Sequence, residues 1–468
     1  MGKLSGTDIH PGGYPMKPVR FEISQTDEVL VSHSGLARIG SLLSKTGLKK
    51  QINALRLPGR PRPGISHADT VLSMISLLCL AKPDFDAVEP FREDEFFKRS
   101  LGITNIPSAA TMRQRLDDLA QVGDCFRIIA EQNQWLLAQH TPVITSSYEQ
   151  WVPLDIDVSP FDNSGTKKEG VSYTYKKVDG YAPIFAYLGL EGYMVHCQLR
   201  EGSQHSQQGT PQFLAQALAM AKRITDRPIL VRMDAGNDAV ENLEICRREE
   251  RVDWIIKRNI RRESVSEWLR EAERVGQWSF PRAGKQVAIG HTRRERAGRL
   301  YRVVFEVTKR TSTADGQMLL LPQIEVATYW TSLSIAPEKV IELYNQHGTS
   351  EQFHAEVKTD MDLERLPSGK FATNALVLQL GMLAYNLLRI VGQSSLLENR
   401  LLPAEKRPLI RDRIKRRRLK TVIQDLIYMA CRLIHHAKRW GLSFWRGNAW
   451  GPVWQAVYRR IEWCAPVQ

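Results

Sequence analysis

The segment Leu154-Asp-Ile-Asp-Val158 decides the fold, because its apolar and acidic residues alternate with the period of two that a β-strand requires. The two apolar runs that follow it, 183–190 and 193–199, are joined by Glu191-Gly192 and predict a β-hairpin. The pattern then predicts a helix over 211–224, a strand over 228–234, a helix over 239–250 and a strand over 252–257. The order β-β-β-α-β-α-β indicates an α/β fold, a mixed sheet flanked by helices.

The residues before this core favour helices. Helical periodicity runs over 35–140, and Ser66 is placed to cap the first strongly apolar helix. Ser108 can cap another helix, which presents Arg113 and Arg115. A basic helix of this kind is typical of the second half of a helix-turn-helix, which enters the DNA major groove. Two arginines are equally typical of a solvated helix face, so both interpretations stay open.

The residues after position 259 form five stretches that differ in composition and predicted secondary structure. A β-rich stretch over 260–335 looks like an insertion, and one long helix is expected over 337–359. Apolar helices follow over 371–391. The run 411–420, RDRIKRRRLK, has seven basic residues in ten and precedes a further helical stretch over 421–440. A block this dense often contacts a nucleic-acid backbone, here through Arg416, Arg417 and Arg418, although a solvated helix is the alternative.

These patterns divide the chain into six parts. They are a flexible tail (1–20), a helical DNA-binding region (21–145), the first part of the core (146–259), the β-rich insertion (260–335), the last part of the core (336–395) and a basic helical C-terminal region (396–468).

Composition narrows the partners and the compartment. The 468 residues include 65 Lys plus Arg against 51 Asp plus Glu, a net charge of +14 that favours nucleic acid but also suits a merely soluble basic protein. The six cysteines form no CxxC pair, which argues against a zinc site or disulfide framework and indicates a reducing cytoplasm. The apolar runs 71–81 and 375–388 are short or interrupted, so we expect no membrane segment.

Three acids stand where a mixed sheet can bring them together. Asp157 lies in the first strand, Asp234 ends the fourth, and Glu351 lies in the long helix. Hard carboxylate oxygens suit Mg²⁺ or Mn²⁺, and two such ions about 3.5–4 Å apart can support phosphodiester cleavage. On an alternating strand Asp155 shares a face with Asp157, so Asp155 remains a competitor.

The context of Glu351 is specific. Tyr344, His347, Glu351 and Lys358 are spaced by three, four and seven residues, which places all four on one helical stripe. An acid that binds metal would then lie beside a base that can hold a phosphate. A salt-bridged helix face is the alternative interpretation.

Residues 344–358 resemble the Tyr-x2-Arg-x3-Glu-x6-Lys signature of bacterial insertion-sequence DDE transposases, with His347 where that family usually has Arg. A histidine at this position can contact a DNA phosphate when it is protonated or through N–H donation. Residues 231–236 are similar to the family's second motif, a strand ending Asp-x-Gly. Residues 154–159 are similar to its first motif, in which the catalytic Asp stands two residues before Ser or Thr, and this favours Asp157. Residues 32–36 and 65–69 resemble the number-1380 group, which is related to the number-4 group.

The resemblance implies an RNase H-like catalytic core with a β-rich insertion between the second Asp and the Glu. It implies a DNA transposase that uses two Mg²⁺ or Mn²⁺ ions, held by Asp157, Asp234 and Glu351, to cleave transposon ends and transfer the strand. Double-stranded DNA, as terminal inverted repeats and target, would be the partner of a homodimer associated with the bacterial nucleoid. Trp330 could stack on a flipped base, although a core Trp in a strand is the alternative.

Other cations are candidates for phosphate contact. Lys257 follows the predicted fifth strand, and Lys358 and Tyr344 would position the scissile phosphate. No GxxxxGK[ST] loop is present, as expected for joining that conserves bond energy. Two other functions remain open: a metal-dependent nuclease that cuts without joining, and a non-catalytic DNA-binding protein derived from a transposase. The presence of all three acids counts against the second.

Overall fold

The computed structural model describes residues 20–57, 64–261, 263–313, 315–403 and 416–463. Its strands are β1 (Leu30–Val31), β2 (Val152–Val158), β3 (Phe161–Asp162), β4 (Ser172–Tyr173), β5 (Asp179–Tyr181), β6 (Ile184–Leu188), β7 (Tyr193–Gln198), β8 (Ile229–Met233), β9 (Val252–Arg258), β10 (Gln277–Arg282), β11 (Lys285–Arg296), β12 (Arg299–Ser312), β13 (Met318–Thr331), β14 (Cys431–His436) and β15 (Arg439–Phe444).

The α-helices are α1 (Leu36–Lys45), α2 (Leu48–Ala54), α3 (His67–Cys79), α4 (Glu95–Leu101), α5 (Ala109–Leu119), α6 (Gly123–His140), α7 (Thr210–Lys222), α8 (Val240–Arg248), α9 (Val265–Val275), α10 (Pro337–Asn345), α11 (Ser350–Ala355), α12 (Phe371–Leu397), α13 (Leu419–Val422) and α14 (Gly451–Trp463). Two predicted caps are confirmed. The Ser66 hydroxyl accepts from the Asp69 N–H at the start of α3, and the Ser108 hydroxyl accepts from the Thr111 N–H at the start of α5.

The main sheet has nine strands in the order β10-β11-β12-β13-β9-β8-β2-β6-β7. Strand β2 runs parallel to β8, and β8 runs parallel to β9, whereas β6 is antiparallel to both β2 and β7. The five strands from β9 to β7 therefore have the order and directions of an RNase H-like core. The predicted element order of this core is confirmed.

The helix α12 is the central helix of the protein. It is 27 residues long and apolar enough to cross a membrane by length and composition, but 94% of its most apolar window is buried inside the protein. It packs against α3, α6 and β7. Its apolar character therefore belongs to the core that joins the N-terminal helices to the sheet.

The β-rich stretch over 260–335 extends the core sheet instead of forming a separate layer. After the helix α9, strands β10 to β13 form an antiparallel meander, and β13 pairs with β9 through Thr328–Thr331. The insertion is thus hydrogen-bonded directly to the strand next to the one that ends at Asp234. Backbone hydrogen bonds therefore link the insertion through β9 to β8, the strand that Asp234 follows.

The helix expected over 337–359 is present, but it is not a regular α-helix throughout. The chain forms α10, a 3₁₀ turn over Gln346–Thr349, α11 and a π-helical turn over Glu356–Asp360. Both irregular turns carry buried ionic contacts, from His347 to Asp155 and from Glu356 to Arg389. These contacts and the flexible Gly348 outweigh regular helical hydrogen bonding, and π-turns of this kind are frequent at functional sites.

The prediction of a helical stretch over 421–440 is wrong. After α13 and a π-helical turn the chain forms the hairpin of β14 and β15, which pairs with β1. The two-residue loop Ala437-Lys438 has positive φ angles of 48° and 65°, as a tight hairpin turn requires. Strand pairing overrode local helix propensity. Residues 1–19 of the expected tail and 411–415 of the basic run lie outside the described residues.

Candidate active site

Three acidic side chains line one cleft at the edge of the core sheet. Asp157 comes from β2, Asp234 directly follows β8, and Glu351 lies in α11. The cleft has a volume of about 650 Å³. Its other polar lining side chains are Ser159, Tyr175, Lys176, Tyr344, Asn345, His347, Ser350, His354, Lys358 and Thr359. The structure therefore brings together the three predicted acids and all four residues of the predicted stripe.

Asp157 is held loosely. Its side chain is 21% exposed, it accepts the Val158 N–H at 2.8 Å, and its other oxygen lies 3.3 Å from Nε2 of His354. Nδ1 of the same histidine lies 3.3 Å from the Tyr187 hydroxyl. Burial lowers the pKa of His354, so a neutral ring that accepts from Tyr187 and donates to Asp157 satisfies both contacts.

Asp234 lies beside the charge of Asp157. Burial and that neighbouring carboxylate raise the pKa of Asp234, while the Asn237 amide donates to it at 2.6 Å. The glycine of the Asp-x-Gly motif has a packing role here. A Cβ on Gly236 would lie 2.9 Å from the Ser206 hydroxyl and 3.3 Å from an Asp234 oxygen, so a side chain would crowd the acid.

Asp155 belongs to a different environment, the closed ionic cluster of Asp155, Arg232 and His347. Arg232 donates to both carboxylate oxygens, at 2.6 and 2.7 Å, and His347 Nδ1 lies 2.8 Å from one of them. Asp155 is 1% exposed and Arg232 is fully buried. Asp155 is thus already paired by groups of the protein, whereas Asp157 lines the cleft.

His347 occupies the position of the family's arginine but turns its Nδ1 toward Asp155. Burial alone would lower the pKa of His347, but the charge and hydrogen bond of Asp155 outweigh it and raise the pKa. Tyr344 packs its ring 5.8 Å from the His347 ring and 4.7 Å from the Tyr329 ring. The protonated form of His347 compensates the charge of the buried Asp155 carboxylate together with Arg232.

The structure also adds residues that sequence reasoning missed. His354 follows Glu351 by three residues, a helical spacing that could have revealed it. Tyr175 and Lys176 lie far from any motif, in the turn between β4 and β5, and no sequence signal predicted their place in the cleft. Burial and the charges of Asp157, Asp234 and Glu351 raise the pKa of Tyr175, which reflects how close its phenol lies to the acids.

Trp330 and Arg115, which were predicted to bind DNA, are buried. Trp330 is 2% exposed, its indole N–H donates to Asp238 at 2.9 Å, and the guanidinium groups of Arg258 and Arg296 lie 4.9 and 5.5 Å from its ring. The ring offers no free face for a base, so the core interpretation of Trp330 describes this structure. Arg115 is likewise buried within the helical region. It cannot extend into a groove from this position.

The remaining predicted DNA contacts differ in exposure. The Arg113 side chain is about half exposed and lies 5.5 Å from the Phe85 ring, and Lys257 is partly exposed on β9. Lys358 lies in the cleft and donates to the Pro160 carbonyl, with Glu364 at 3.8 Å. Arg113, Lys257 and Lys358 therefore keep surface that a phosphate could reach.

The three described arginines of the basic run face the protein. Arg416 donates to Gln352, the neighbour of Glu351, and lies 3.6 Å from Glu356. Arg417 is buried and donates to Ser395 and Asn399. Arg418 forms a two-pronged ion pair with Asp360 but leaves about half of its side chain exposed. The contacts of Arg416 and Arg418 stabilise the π-helical turn over Glu356–Asp360, and those of Arg417 stabilise the end of α12 and the turn after it. The dense basic sequence did not predict this structural role.

The acids fit hard divalent cations by their donor chemistry, since all three are carboxylates that share one solvated cleft. Among the described residues, no three acidic, histidine or cysteine side chains are yet grouped tightly enough to hold one ion. Glu351 is exposed on its helix, whereas Asp157 and Asp234 are close enough to interact.

An RNase H-like sheet with an acid-lined cleft at its edge defines a class of proteins that act on phosphodiester bonds. The chain belongs to the family described as Transposase DDE domain group 1, whose profile matches residues 15–465. It is therefore a DNA transposase of the DDE class. A search of curated proteins finds no match.

The chain is also similar to a solved structure, a piggyBac transposase synaptic complex with hairpin DNA. The identity is 11%, the TM-score is 0.39, and the match covers 94% of this chain and 83% of that one. A TM-score this low does not establish a shared fold. The RNase H-like fold is shown by the strand order and directions described above.

Proposed function

We propose that this transposase cleaves the phosphodiester bonds at the ends of its element and joins the freed ends to target DNA, with Asp157, Asp234 and Glu351 as the catalytic acids. One observation carries the proposal. These three carboxylates line a single cleft, while the neighbouring Asp155 is neutralised inside the closed ionic cluster. The fold thus separates acids available to a ligand from an acid used for structure.

Two divalent cations, Mg²⁺ or Mn²⁺, would supply Lewis-acid chemistry at the attacking and leaving oxygens when bound. Asp157 and Asp234 would hold them from the sheet, and Glu351 would complete the set from α11. Binding would relieve the repulsion between Asp157 and Asp234 that raises the pKa of Asp234.

The chemistry has two balanced steps. Water attacks the phosphorus at each transposon end, a P–O bond breaks, and the 3′-oxygen leaves as a hydroxyl. That hydroxyl then attacks a phosphodiester of the target, forming one P–O bond while another breaks, so no nucleotide cofactor is consumed. Lys358 and Tyr344, both in the cleft, would position the phosphate.

The partner in this proposal is double-stranded DNA, as terminal inverted repeats and as target. The net charge of +14 favours such a polyanion. Two ends must be processed together, and we propose that a homodimer forms on DNA to do so. The protein would act in the bacterial cytoplasm on nucleoid DNA.

A strand-transfer assay with labelled terminal-repeat DNA, a target plasmid and Mg²⁺ or Mn²⁺ tests the proposal. Glu351→Gln should abolish cleavage and keep DNA binding. Glu342→Gln, an exposed acid on α10 paired with Lys339, is the matched control and should keep full activity. Cleavage that survives in Glu351→Gln refutes the site, and released ends that never join support the nuclease alternative.

A further inference from the structure

An aromatic hairpin stands at the mouth of the acid cleft. The connection from β2 to β6 contains a separate three-stranded sheet in the order β3-β5-β4. Residues 172–181, which we call the tyrosine hairpin, include its last two strands. Tyr175 and Lys176 at the hairpin turn line the cleft together with the three acids. The Tyr175 hydroxyl donates to the Val158 carbonyl at 3.0 Å, directly beside Asp157.

The turn of this hairpin is fixed and strained. The Lys177 N–H donates to the Thr174 carbonyl at 2.9 Å, and the buried Thr174 hydroxyl donates to the Val178 carbonyl at 2.9 Å. Lys177 has φ of +63°, in the left-handed region that disfavours side chains. Strain held at a non-glycine residue is typical of functional sites. The geometry keeps a lysine at a position where glycine would be easier to accommodate.

The hairpin presents rings and charge to solvent. Tyr173 is 61% exposed and Tyr175 is 62% exposed. Tyr173 ends β4, and Tyr175 lies in the turn that follows, where its side chain lines the cleft. Lys176 and Lys177 are exposed, and neither forms an ion pair with an acid in the described parts of the chain. Trp330, the ring that sequence reasoning offered for base stacking, is buried instead.

Exposed aromatic rings interleaved with free lysines match the chemistry of a nucleic-acid strand. Every base has a face that can stack on an aromatic ring, and lysines pair with the phosphates between bases. A protein partner would not explain why Tyr175 and Lys176 line the same cleft as the three acids. The surface therefore fits nucleotides close to the reacting phosphate.

We propose that the tyrosine hairpin holds the DNA strand next to the scissile phosphate, with Tyr173 and Tyr175 stacked on unpaired bases and Lys176 and Lys177 on the adjacent phosphates. This inference rests on the proposed function, because it requires DNA in the acid cleft. It assigns to the tyrosines a positioning role. Bases near the cut must leave the duplex stack to reach the rings.

The test places the fluorescent base 2-aminopurine beside the cut site of terminal-repeat DNA. Binding is measured in the Glu351→Gln background, so the readout does not depend on cleavage. The parent should change the fluorescence of the probe as its base unstacks and meets a tyrosine ring. Replacing Tyr173 and Tyr175 with Ser should remove that change, whereas Phe at both positions should restore it.

Kinetics on the otherwise unchanged protein give a second readout. The double Ser variant should raise KM about tenfold or more, since stacking on each base contributes to binding, and DNA with the cut-site bases already unpaired should recover most of the loss. Lys176→Gln with Lys177→Gln should reduce the salt dependence of binding by about one unit of slope per lysine. Equal melting temperatures would exclude misfolding as the cause.

Three outcomes separate the two proposals. If the unmodified protein cleaves but the Ser variant keeps its KM and its fluorescence change, the tyrosine hairpin proposal is overturned. If no cleavage occurs but the fluorescence change depends on the rings, the hairpin proposal stands and the catalytic proposal fails. If the Phe variant loses the fluorescence change as fully as the Ser variant does, the site depends on the hydrogen bond from the Tyr175 hydroxyl to Val158, and the stacking proposal is overturned.

Discussion

The closed ionic cluster and the acid cleft differ although they share one strand. Asp155 and Asp157 stand two residues apart on β2, yet Asp155 is 1% exposed with Arg232 and His347 against its oxygens, and Asp157 is 21% exposed with one long contact to His354. Both acids are charged groups near the edge of the same sheet. The difference teaches that the partners already supplied by the protein decide which carboxylate remains available to a cation.

The largest expected effect comes from breaking the closed cluster. Asp155→Ala should destabilise the fold by about 3–5 kcal/mol, because it leaves the fully buried Arg232 without its counter-charge. Chemical denaturation with equal m-values would measure this. Replacing the pair together, as Asp155→Leu with Arg232→Met, should recover much of the loss. If Asp155→Ala alone has the same free energy of unfolding as the parent, the proposed difference between Asp155 and Asp157 is contradicted.

Asp157→Asn should have the opposite profile. Cleavage should fall at least about 100-fold, or about 2.7 kcal/mol in activation free energy, because a cation ligand is lost. The free energy of unfolding without divalent cations should fall only slightly, because the lost contacts of Asp157 with His354 and the Val158 N–H are partly offset by removal of the repulsion with Asp234. Single-turnover cleavage and denaturation on the same preparation would report both. Loss of stability with retained cleavage would reverse the assignment of the two strand acids.

A third aspartate sharpens the comparison. Asp238 is 5% exposed and receives the Trp330 indole at 2.9 Å, the Asn259 N–H at 2.9 Å and an Arg296 ion pair, so it resembles Asp155. Asp238→Ala should cost about 1–3 kcal/mol of stability by leaving buried donors unsatisfied. Because it joins the insertion to the loop after Asp234, cleavage should fall moderately. Wild-type stability would place Asp238 with the open acids.

Divalent cations should produce the smallest of these effects, and only through the cleft. At ten times its dissociation constant, Mn²⁺ should stabilise the parent by about 1.4 kcal/mol through binding to the folded state. Differential scanning calorimetry with and without Mn²⁺ would measure the shift. Asp234→Asn should lose it, whereas Glu342→Gln should keep it. An equal shift in Asp234→Asn would indicate that the ion binds elsewhere.

Much of the core was predictable because period-two alternation and buried apolar runs are local signals. The pattern around Leu154–Val158 predicted the strand that β2 forms, and the spacing of Glu351 and Lys358 predicted residues that share a cleft. The choice between Asp155 and Asp157 needed the family resemblance, because alternation treats them alike. Only the structure shows that Arg232, from a strand 77 residues later, closes over Asp155.

The parts that failed depend on contacts between distant residues. The long helix departs from regular α-helical hydrogen bonding where His347 and Glu356 contact buried partners from other elements, and helical periodicity cannot reveal these contacts. The C-terminal hairpin forms because β1 supplies a strand edge about 400 residues earlier. Arg258 and Arg296 pack against the ring of Trp330. These basic residues therefore cover a buried side chain instead of forming an exposed basic surface.

The pairing of β1 with β14 also constrains biosynthesis. Arg38 is fully buried, donates to the Leu426 carbonyl at 3.1 Å and lies 4.5 Å from the Trp454 ring, so the packing of α1 is completed by residues that the ribosome adds 388 or more residues later. A nascent chain must therefore keep its N-terminal region unfinished until translation passes β14. A premature stop before residue 426 removes these partners of Arg38, so the truncated chain should lose the native packing of α1.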